Sequence, residues 1–467
     1  MAELPTASSL LIRNGTVLDP SRAFEWKADV LLRDGVVEAV GPNLAGGDRV
    51  LDAEGCFVTP GLIDLHVHFR EPGDEEEETI ASGALAAAAG GFATVCCMPN
   101  TRPPLDNESQ IEFVLRESQR VGLANVHPVG AITKGREGRE LAELGLMHHR
   151  GAIAFSDDGC GVADAAVMRK ALQYVRMFDG LIMQHCEEPA LSGGAMHSGL
   201  VSTTLGLPGI PAEAEQLMIS RDILLNRTIG CRYHVQHIST AGSVELIRSA
   251  KSAGQPVTAE VAPHHLLLTD EACRGYDTNY KMNPPLRTDR DVAACIAAVR
   301  DGTIDCLATD HAPHLAEEKE LEFQFAPFGI ISIECALALY VRALVHPGHI
   351  TWMRLVELMS TAPARILKLA RGTLQDGAVI GSHARKPLQH IADRGHQGSP
   401  PRAIGAGPNR LRFLTFGVHG SSLPEAAHGA ITFGVRKKKT RSTRPLGATW
   451  RLLPPPFGET ITRQGSV

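Results

Sequence analysis

Histidine and carboxylate side chains recur at the ends of short apolar segments of this 467-residue chain. The first such segment ends in His66-Val67-His68, and a spacing of two residues puts both imidazoles on one face of a strand. They then lie about 6 to 7 Å apart along the strand, close enough for both to bind one divalent ion. The pair predicts a metal site, against the simpler alternative of two hydrogen-bonded histidines at a strand end.

Four later segments also end in imidazoles or carboxylates: Ser156-Asp157-Asp158-Gly159, Gln184-His185, Gln236-His237 and Thr309-Asp310-His311. Burying so many polar groups without a partner is unfavourable, and a metal supplies that partner. Imidazole and carboxylate without thiolate suit catalytic zinc, with cobalt, nickel or manganese as alternatives. Five or six ligands exceed the needs of one tetrahedral zinc. We therefore predict two zinc ions per protomer that share a bridging carboxylate, from Asp157 or Asp158, and a bridging hydroxide.

The segments that carry these residues belong to a regular pattern of eight strand-like runs, most of them followed by a helical pattern. The runs are Leu62–His68, Ala93–Asn100, Asn125–Thr133, Gly151–Asp158, Gly180–Glu187, Arg232–Ser239, Pro256–His265 and Asp305–His311. Helical patterns include Ile80–Ala89, Glu108–Arg120, Asp164–Phe178, Met218–Leu225, Ser243–Ala253 and Thr351–Lys368. Eight such units predict an α/β fold, a (β/α)8 TIM-type barrel whose chemistry lies at the carboxyl ends of the strands.

The flanking regions differ from this pattern and set the predicted domain bounds. Residues 1–60 read as a small β-domain with turns at Asn14-Gly15 and Asp34-Gly35, and residues 61–370 as the barrel. Residues 371–379 are predicted to begin a C-terminal β-return, a segment that pairs with the small β-domain after the barrel. Residues 380–467 form a basic, Pro/Gly-rich tail with 14 Lys and Arg against 3 Asp and Glu, a composition that predicts disorder.

Composition excludes several classes of protein. No run of 18 apolar residues predicts a membrane span, and the N-terminus lacks the pattern of a signal peptide. Before residue 380 there are 32 Lys and Arg against 49 Asp and Glu, and an acidic body argues against nucleic acid as a partner. The ten cysteines lie in apolar segments without a CxxC pair, which favours reduced thiols in a cytoplasmic protein.

The motifs around these residues resemble the amidohydrolase superfamily, and within it the dihydroorotases of the long bacterial type. The matching stretches begin with Val58–Gly73, which includes His66-Val67-His68-Phe69-Arg70-Glu71-Pro72-Gly73, and with Met98-Pro99-Asn100-Thr101. The others are Phe155–Gly159, His185-Cys186-Glu187, Tyr233–Thr240, Thr258–His265, Met282–Arg287, Ala308–His314 and Ala326-Pro327-Phe328-Gly329. The similarity runs in order from about Leu10 to Val379.

The resemblance assigns roles residue by residue. It implies that His66, His68 and Asp310 hold one zinc ion, that His185 and His237 hold the other, and that Asp158 rather than Asp157 bridges them. It implies that the substrate carboxylate is oriented by Arg70, Asn100 and His314, and that the ring contacts Asn283 and the backbone of Phe328 and Gly329. An arginine fork suits a carboxylate, although a rim salt bridge with the acidic run Asp74–Glu78 is the alternative for Arg70.

The implied activity is the reversible hydrolysis of the cyclic amide of L-dihydroorotate to N-carbamoyl-L-aspartate in pyrimidine biosynthesis. Asp310 would accept the proton of the attacking hydroxide and return it to the leaving nitrogen. The implied partner is a small-molecule substrate, with no membrane or nucleic acid, and the resemblance leaves open a homodimer and an association with aspartate transcarbamoylase.

Two alternatives remain open at this stage. Hydantoinases, dihydropyrimidinases and allantoinases share the barrel and the paired histidines, but many bridge their metals with a carboxylated lysine on the fourth strand, where Ala152-Ile153-Ala154-Phe155 has none. Some dihydroorotase-like chains have lost ligands and act only as scaffolds for aspartate transcarbamoylase, whereas every ligand position is filled here.

The resemblance to the family ends abruptly at Val379, where the net charge of the sequence also changes sign. We hypothesise that the residues beyond are out of frame, through a natural frameshift or an error in the gene sequence.

Overall fold

A computed structural model describes residues 9–378 and 412–416 of the chain. The described strands are β1 Ser9–Asp19, β2 Phe24–Arg33, β3 Val36–Gly41, β4 Arg49–Asp52, β5 Cys56–Pro60, β6 Leu62–Val67, β7 Phe92–Cys97, β8 Asn125–Gly130, β9 Ala154–Phe155, β10 Leu181–Gln184, β11 Met196–His197, β12 Gly209–Ile210, β13 Arg232–Val235, β14 Val257–Val261, β15 Cys306–Leu307 and β16 Arg412–Phe416. The α-helices are α1 Ile80–Ala89, α2 Glu108–Val121, α3 Leu144–Arg150, α4 Ala165–Arg176, α5 Leu200–Leu205, α6 Ala212–Asn226, α7 Ala241–Ser252, α8 His264–Leu267, α9 Asp289–Asp301, α10 Ala316–Lys319, α11 Ala336–Tyr340, α12 Trp352–Val356 and α13 Ala362–Leu367.

Eight parallel strands form the main sheet, in the order β6-β7-β8-β9-β10-β13-β14-β15. The two ends of the sheet meet in a parallel bridge between Val67 and His311, which nearly closes a barrel. Helices follow most of the strands along the chain. The predicted (β/α)8 barrel is therefore confirmed.

The barrel strands are apolar because both of their faces are buried, as parallel sheets require. Every residue of β6 and β7 is buried. One end of the barrel packs against α13, where Ile366 and Leu367 join a buried cluster with Leu65 and Met183. The strands are shorter than the predicted runs, and most of the polar residues at the run ends lie in the loops that follow.

The predicted helices are present, and their starts follow from capping residues. Thr79 caps α1 by accepting a hydrogen bond from the Ser82 backbone, and Asp164 and Thr240 cap α4 and α7 in the same way. The predicted helix Thr351–Lys368 consists of α12, a π-helical turn at Glu357–Thr361, and α13.

A second sheet lies outside the barrel, with β1 at its centre between β2 and β5. The predicted turn at Asp34-Gly35 joins β2 to β3 and has the positive φ angles, 51° and 78°, that such turns need. The predicted turn at Asn14-Gly15 is wrong. Asn14 instead lies at a bulge inside β1, with φ of 64°, and pairing with β2 continues past it. A bulge and a tight turn both use a residue at positive φ, so the dipeptide alone does not separate them.

The chain returns to this second sheet after the barrel. Gly377 donates to the Val37 carbonyl at 2.8 Å, Val37 donates to the Ala378 carbonyl at 3.0 Å, and Leu374 packs into the core of the sheet. The predicted disordered tail, 380–467, lies outside the described residues except for β16. β16 pairs with β5 in parallel. Its Arg-Phe-Leu-Thr-Phe sequence is rich in residues that favour strands.

Candidate metal centre

The carboxylate of Asp158 lies at the middle of a group of four histidines at the carboxyl ends of the barrel strands. Its Oδ1 is 3.3 Å from His66 Nε2, 3.7 Å from His237 Nε2 and 3.8 Å from His185 Nδ1, and its Oδ2 is 3.4 Å from His68 Nε2. All five side chains are buried. The structure thus brings together residues that the sequence placed on four separate strands.

Asp310 completes the group. Its Oδ1 is 3.2 Å from His68 Nε2 and 3.6 Å from His66 Nε2. Within the same group, His185 Nδ1 and His237 Nε2 lie 2.9 Å apart. Asp310 and His237 both have positive φ angles, 50° and 27°, which are uncommon for non-glycine residues and concentrate at functional sites.

The two adjacent aspartates differ in their neighbours. Asp157 Oδ1 accepts hydrogen bonds from the amides of Ile132 and Thr133 at 2.8 and 3.0 Å, and its Oδ2 accepts one from the Thr133 hydroxyl. Asp157 is therefore occupied in binding the loop after β8. Asp158 points to the histidines instead, as the family resemblance implies.

These residues fit a metal. His66 Nε2 and Asp158 Oδ1 are buried and complete no hydrogen bond with any described residue, and buried polar atoms are rarely left in that state. One ligand atom each from His66, His68 and Asp310 lie within 4.8 Å of one another, as do those from His66, Asp158 and His237. Four imidazoles and two carboxylates, without a thiolate, form a donor set suited to zinc and similar divalent ions.

The pKa shifts of Asp158 and His66 indicate that the carboxylates and histidines of the site stabilise each other's charges. Burial raises the pKa of the Asp158 carboxyl, but the surrounding histidines outweigh burial and hold it well below its ordinary value. Burial likewise opposes charge on His66, yet Asp158 and Asp310 raise the pKa of its imidazole well above the ordinary value. The carboxylates therefore stay ionised and available as ligands.

Glu260, a buried glutamate that was not among the predicted site residues, supports the centre through hydrogen bonds. Glu260 Oε1 lies 2.8 Å from His66 Nδ1 and accepts from the His237 amide at 3.3 Å, while its Oε2 is 3.1 Å from His234 Nε2. Burial raises its pKa, but the two histidines lower it to about 2. A lone carboxylate inside the apolar strand Val257–Val261 was the available signal, because such a group needs a buried partner.

We expect Glu260→Gln to weaken metal binding by roughly 10- to 100-fold, because a carboxylate that accepts from the second ring nitrogen orients a metal-binding histidine and raises its basicity. Chelator competition with the purified protein measures this. Glu357→Gln is the control, since Glu357 pairs with Arg354 at 2.8 Å and is not near the centre. Equal metal affinity in both variants would contradict a supporting role for Glu260.

Beside the metal centre lies a second group of predicted site residues. Arg70 Nη2 is 3.4 Å from His314 Nε2, and Arg70 donates through Nε and Nη2 to the Pro313 carbonyl at 3.2 and 3.1 Å. Glu77 Oε2 also lies 2.9 Å from Arg70 Nε. The rim salt bridge considered as an alternative for Arg70 is therefore present, together with the contact to His314.

The other predicted substrate contacts are placed as follows. Asn100 Oδ1 is 2.9 Å from His68 Nδ1, so Asn100 orients a candidate metal ligand. Asn283 donates to Glu187 at 3.1 Å and lies 3.5 Å from His185. Neither Glu187 nor Glu77 was predicted as a site residue. The roles of Asn100 and Asn283 toward substrate stay predictions.

Phe328 and Gly329 lie against His314. The Phe328 carbonyl is 2.7 Å from His314 Nε2. A Cβ on Gly329 would lie 2.7 Å from the Ala312 carbonyl oxygen and 2.8 Å from His314 Nε2, so this close approach requires glycine. His314 thereby connects the Arg70 side of the site with the Phe328-Gly329 loop.

Comparisons with known proteins agree with this site. A family described as dihydro-orotase-like matches residues 55–243. A dihydroorotase of Pelotomaculum thermopropionicum is 53% identical over 371 residues, which cover 79% of this chain and 87% of that protein. A dihydroorotase of Solibacter usitatus is 49% identical over 371 residues, 79% of this chain and 86% of its own length.

Solved structures give the same architecture. An L-hydantoinase (dihydropyrimidinase) of Arthrobacter aurescens superposes with a TM-score of 0.71 at 26% identity, over 80% of this chain and 85% of its own. A dihydropyrimidinase of Brevibacillus agri superposes with a TM-score of 0.68 at 25% identity, over 79% and 84% of the two chains.

The barrel, with its cluster of histidines and aspartates at the strand ends, is that of a metal-dependent cyclic amidohydrolase. Within that class, the identity of about half of the aligned residues over most of the length places the protein in the dihydroorotase family. In the part of the chain that the structure describes, no helix combines the length and the apolar character needed to cross a membrane.

Proposed function

We propose that the protein is a dihydroorotase, which interconverts L-dihydroorotate and N-carbamoyl-L-aspartate. The observation that carries the proposal is the placement of the Arg70 guanidinium, with the His314 imidazole next to it, beside the metal centre around Asp158. Dihydroorotate combines a cyclic amide with a carboxylate. A metal centre suits hydrolysis of the amide, and an arginine fork suits binding of the carboxylate.

We propose two zinc ions per protomer. His66, His68 and Asp310 would hold one ion, His185 and His237 the other, and Asp158 would bridge them. The distances from Asp158 to all four histidines, 3.3 to 3.8 Å, support the central position of this carboxylate. When bound, the ions would ionise water near neutral pH and polarise the ring carbonyl.

The proton transfers are assigned to Asp310. In ring opening, its carboxylate takes a proton from the attacking oxygen as the carbon–oxygen bond forms, and returns it to the ring nitrogen as the carbon–nitrogen bond breaks. In ring closure, Asp310 first removes the amide proton and finally protonates the departing oxygen. Nearby histidines outweigh burial and hold its pKa below the ordinary value, so the carboxylate begins the reaction ionised.

We expect Arg70→Met to raise KM for dihydroorotate by roughly 10- to 100-fold, because it removes charged hydrogen bonds to the substrate carboxylate. The number of metals per chain should not change. Arg102→Met is the matched control, since the Arg102 side chain is 80% exposed and forms its ion pair with Asp74 at the rim, at 3.3 Å. Steady-state kinetics of both variants measure the effect, and an unchanged KM for Arg70→Met would contradict this role.

The main competitor is a hydantoinase-type activity, favoured by the similarity to hydantoinase structures. Asp158 lies at the centre of the histidines, and among the described residues no lysine forms an ion pair or hydrogen bond there. Assays of dihydroorotate, hydantoin and allantoin on one preparation separate the two activities. A scaffold protein would bind metal yet turn over none of the three, so elemental analysis accompanies the assays.

We also propose that the protein resides in the cytoplasm. Within the described residues no disulfide is present, and eight of the ten cysteines are buried. Disulfides are rare in reducing compartments, and buried thiols are common there. Cell fractionation with an antibody to the purified protein tests the location.

A further inference from the structure

Two lysines outside the metal centre bind the backbone of the loop at residues 324–329. Lys281 Nζ donates to the carbonyls of Gln324 and Ala326 at 2.9 and 2.6 Å. Lys319 Nζ donates to the carbonyls of Pro327 and Gly329 at 3.0 and 2.9 Å. Four of the six carbonyls in this short loop therefore point to two ammonium groups.

The same loop is joined to the candidate substrate site. The carbonyl of Phe328 is 2.7 Å from His314 Nε2, and the amide of Gly329 donates to the Lys281 carbonyl at 3.0 Å. The Lys281 ammonium also lies 4.5 Å from the centre of the Phe328 ring, within the range of a cation–π contact. Lys281 also stands two residues before Asn283. The contacts of Lys281 with the loop therefore link the loop, His314 and Asn283.

The hydrogen-bond acceptors of the two ammonium groups are carbonyls of the loop. Within the described part of the chain, neither forms an ion pair with a carboxylate at 4.0 Å or less, although Lys281 is only 3% exposed. Burial lowers the pKa of Lys281, and burial together with Lys281 lowers that of Lys319 to about 8. A buried ammonium is unfavourable without partners, and here the partners are the loop carbonyls.

We propose that Lys281 and Lys319 are positioning residues for substrate binding, which hold the loop at residues 324–329 so that Phe328 and Gly329 meet the ring while His314 meets the carboxylate. This inference rests on the proposed function. Apart from its contacts with Lys281, Lys319 and His314, the loop is joined by local hydrogen bonds from the amides of Phe325 and Ala326 to the Glu322 carbonyl, at 2.8 and 3.0 Å. Phe325 is 69% exposed, Pro327 has no amide hydrogen, and the nearest described β-bridge joins His311 to Ile330, beyond the loop.

The test uses Lys281→Met and Lys319→Met in the full-length, metal-loaded protein, with Lys170→Met, an exposed lysine of α4, as the control. We expect each loop variant to raise KM for dihydroorotate about tenfold, because a loop that has lost two charged hydrogen bonds holds Phe328, Gly329 and His314 less firmly in place. We expect kcat to remain within about twofold, since neither lysine reaches the metal centre, and the metal content to stay the same. The control should match the parent protein.

Hydrogen exchange measured by mass spectrometry gives a readout that does not depend on activity. Amides of residues 320–335 should exchange faster in the loop variants, while amides of β6 and β13 stay protected. Unchanged exchange together with an unchanged KM would overturn the proposal. A uniform loss of protection over the whole barrel would also overturn it, because that result indicates a general folding role.

If Lys281→Met does not fold, the variant Lys319→Gln, at a less buried position, decides by the same criteria. Failure of the parent protein to turn over dihydroorotate would refute the proposed function, whereas the exchange data would still test the loop.

Discussion

Asp310→Asn is expected to leave a folded protein that binds dihydroorotate but turns it over roughly two to four orders of magnitude more slowly, the usual contribution of a positioned general acid or base. Asparagine keeps an oxygen that can reach the metals, but it cannot accept the proton from the attacking oxygen. Asparagine also tolerates the positive φ of 50° at this position about as well as aspartate. The loss should therefore fall on kcat.

Single-turnover kinetics and equilibrium binding of dihydroorotate separate the two effects. Asp305→Asn is the matched control. Asp305 lies away from the metal centre and pairs with Lys251, whose Nζ is 2.7 Å from its carboxylate. Metal content is measured for both variants, so that a loss of metal is not mistaken for loss of the proton acceptor. Full turnover by a metal-loaded Asp310→Asn protein would refute its role as the base.

The second large effect separates the adjacent aspartates. Asp158→Asn should reduce the metal content from the proposed two ions per chain to one or none. We expect activity to fall by about three orders of magnitude or more, because the chemistry supplied by the metals is lost with them. Asp157→Asn should keep its metals and lose about 1 to 3 kcal/mol of stability, since it disturbs the buried hydrogen bonds to Ile132 and Thr133.

Each of these two variants serves as the other's control, because they differ by one position and carry the same change. Elemental analysis and urea denaturation are performed on both. If Asp157→Asn loses metal while Asp158→Asn keeps it, the assignment of the bridging carboxylate is wrong.

The sequence predicted the barrel and the histidines of the centre because both depend on periodicity. A spacing of two placed His66 and His68 on one face, and the repeated strand-helix pattern placed His185, His237 and Asp310 at one end of the barrel. The support from Glu260 was not predicted, because its partners His66 and His234 come from strands distant in the sequence.

The sequence by itself thus determined the architecture and the chemical nature of the donor set, since alternation and residue type are local properties. Only the tertiary structure decided which neighbours each polar group meets. The backbone amides after β8 bind Asp157 and leave Asp158 for the histidines. Continued pairing with β2 makes Asn14-Gly15 a bulge rather than a turn. Each of these outcomes depends on hydrogen bonds between elements distant along the chain, which no local pattern specifies.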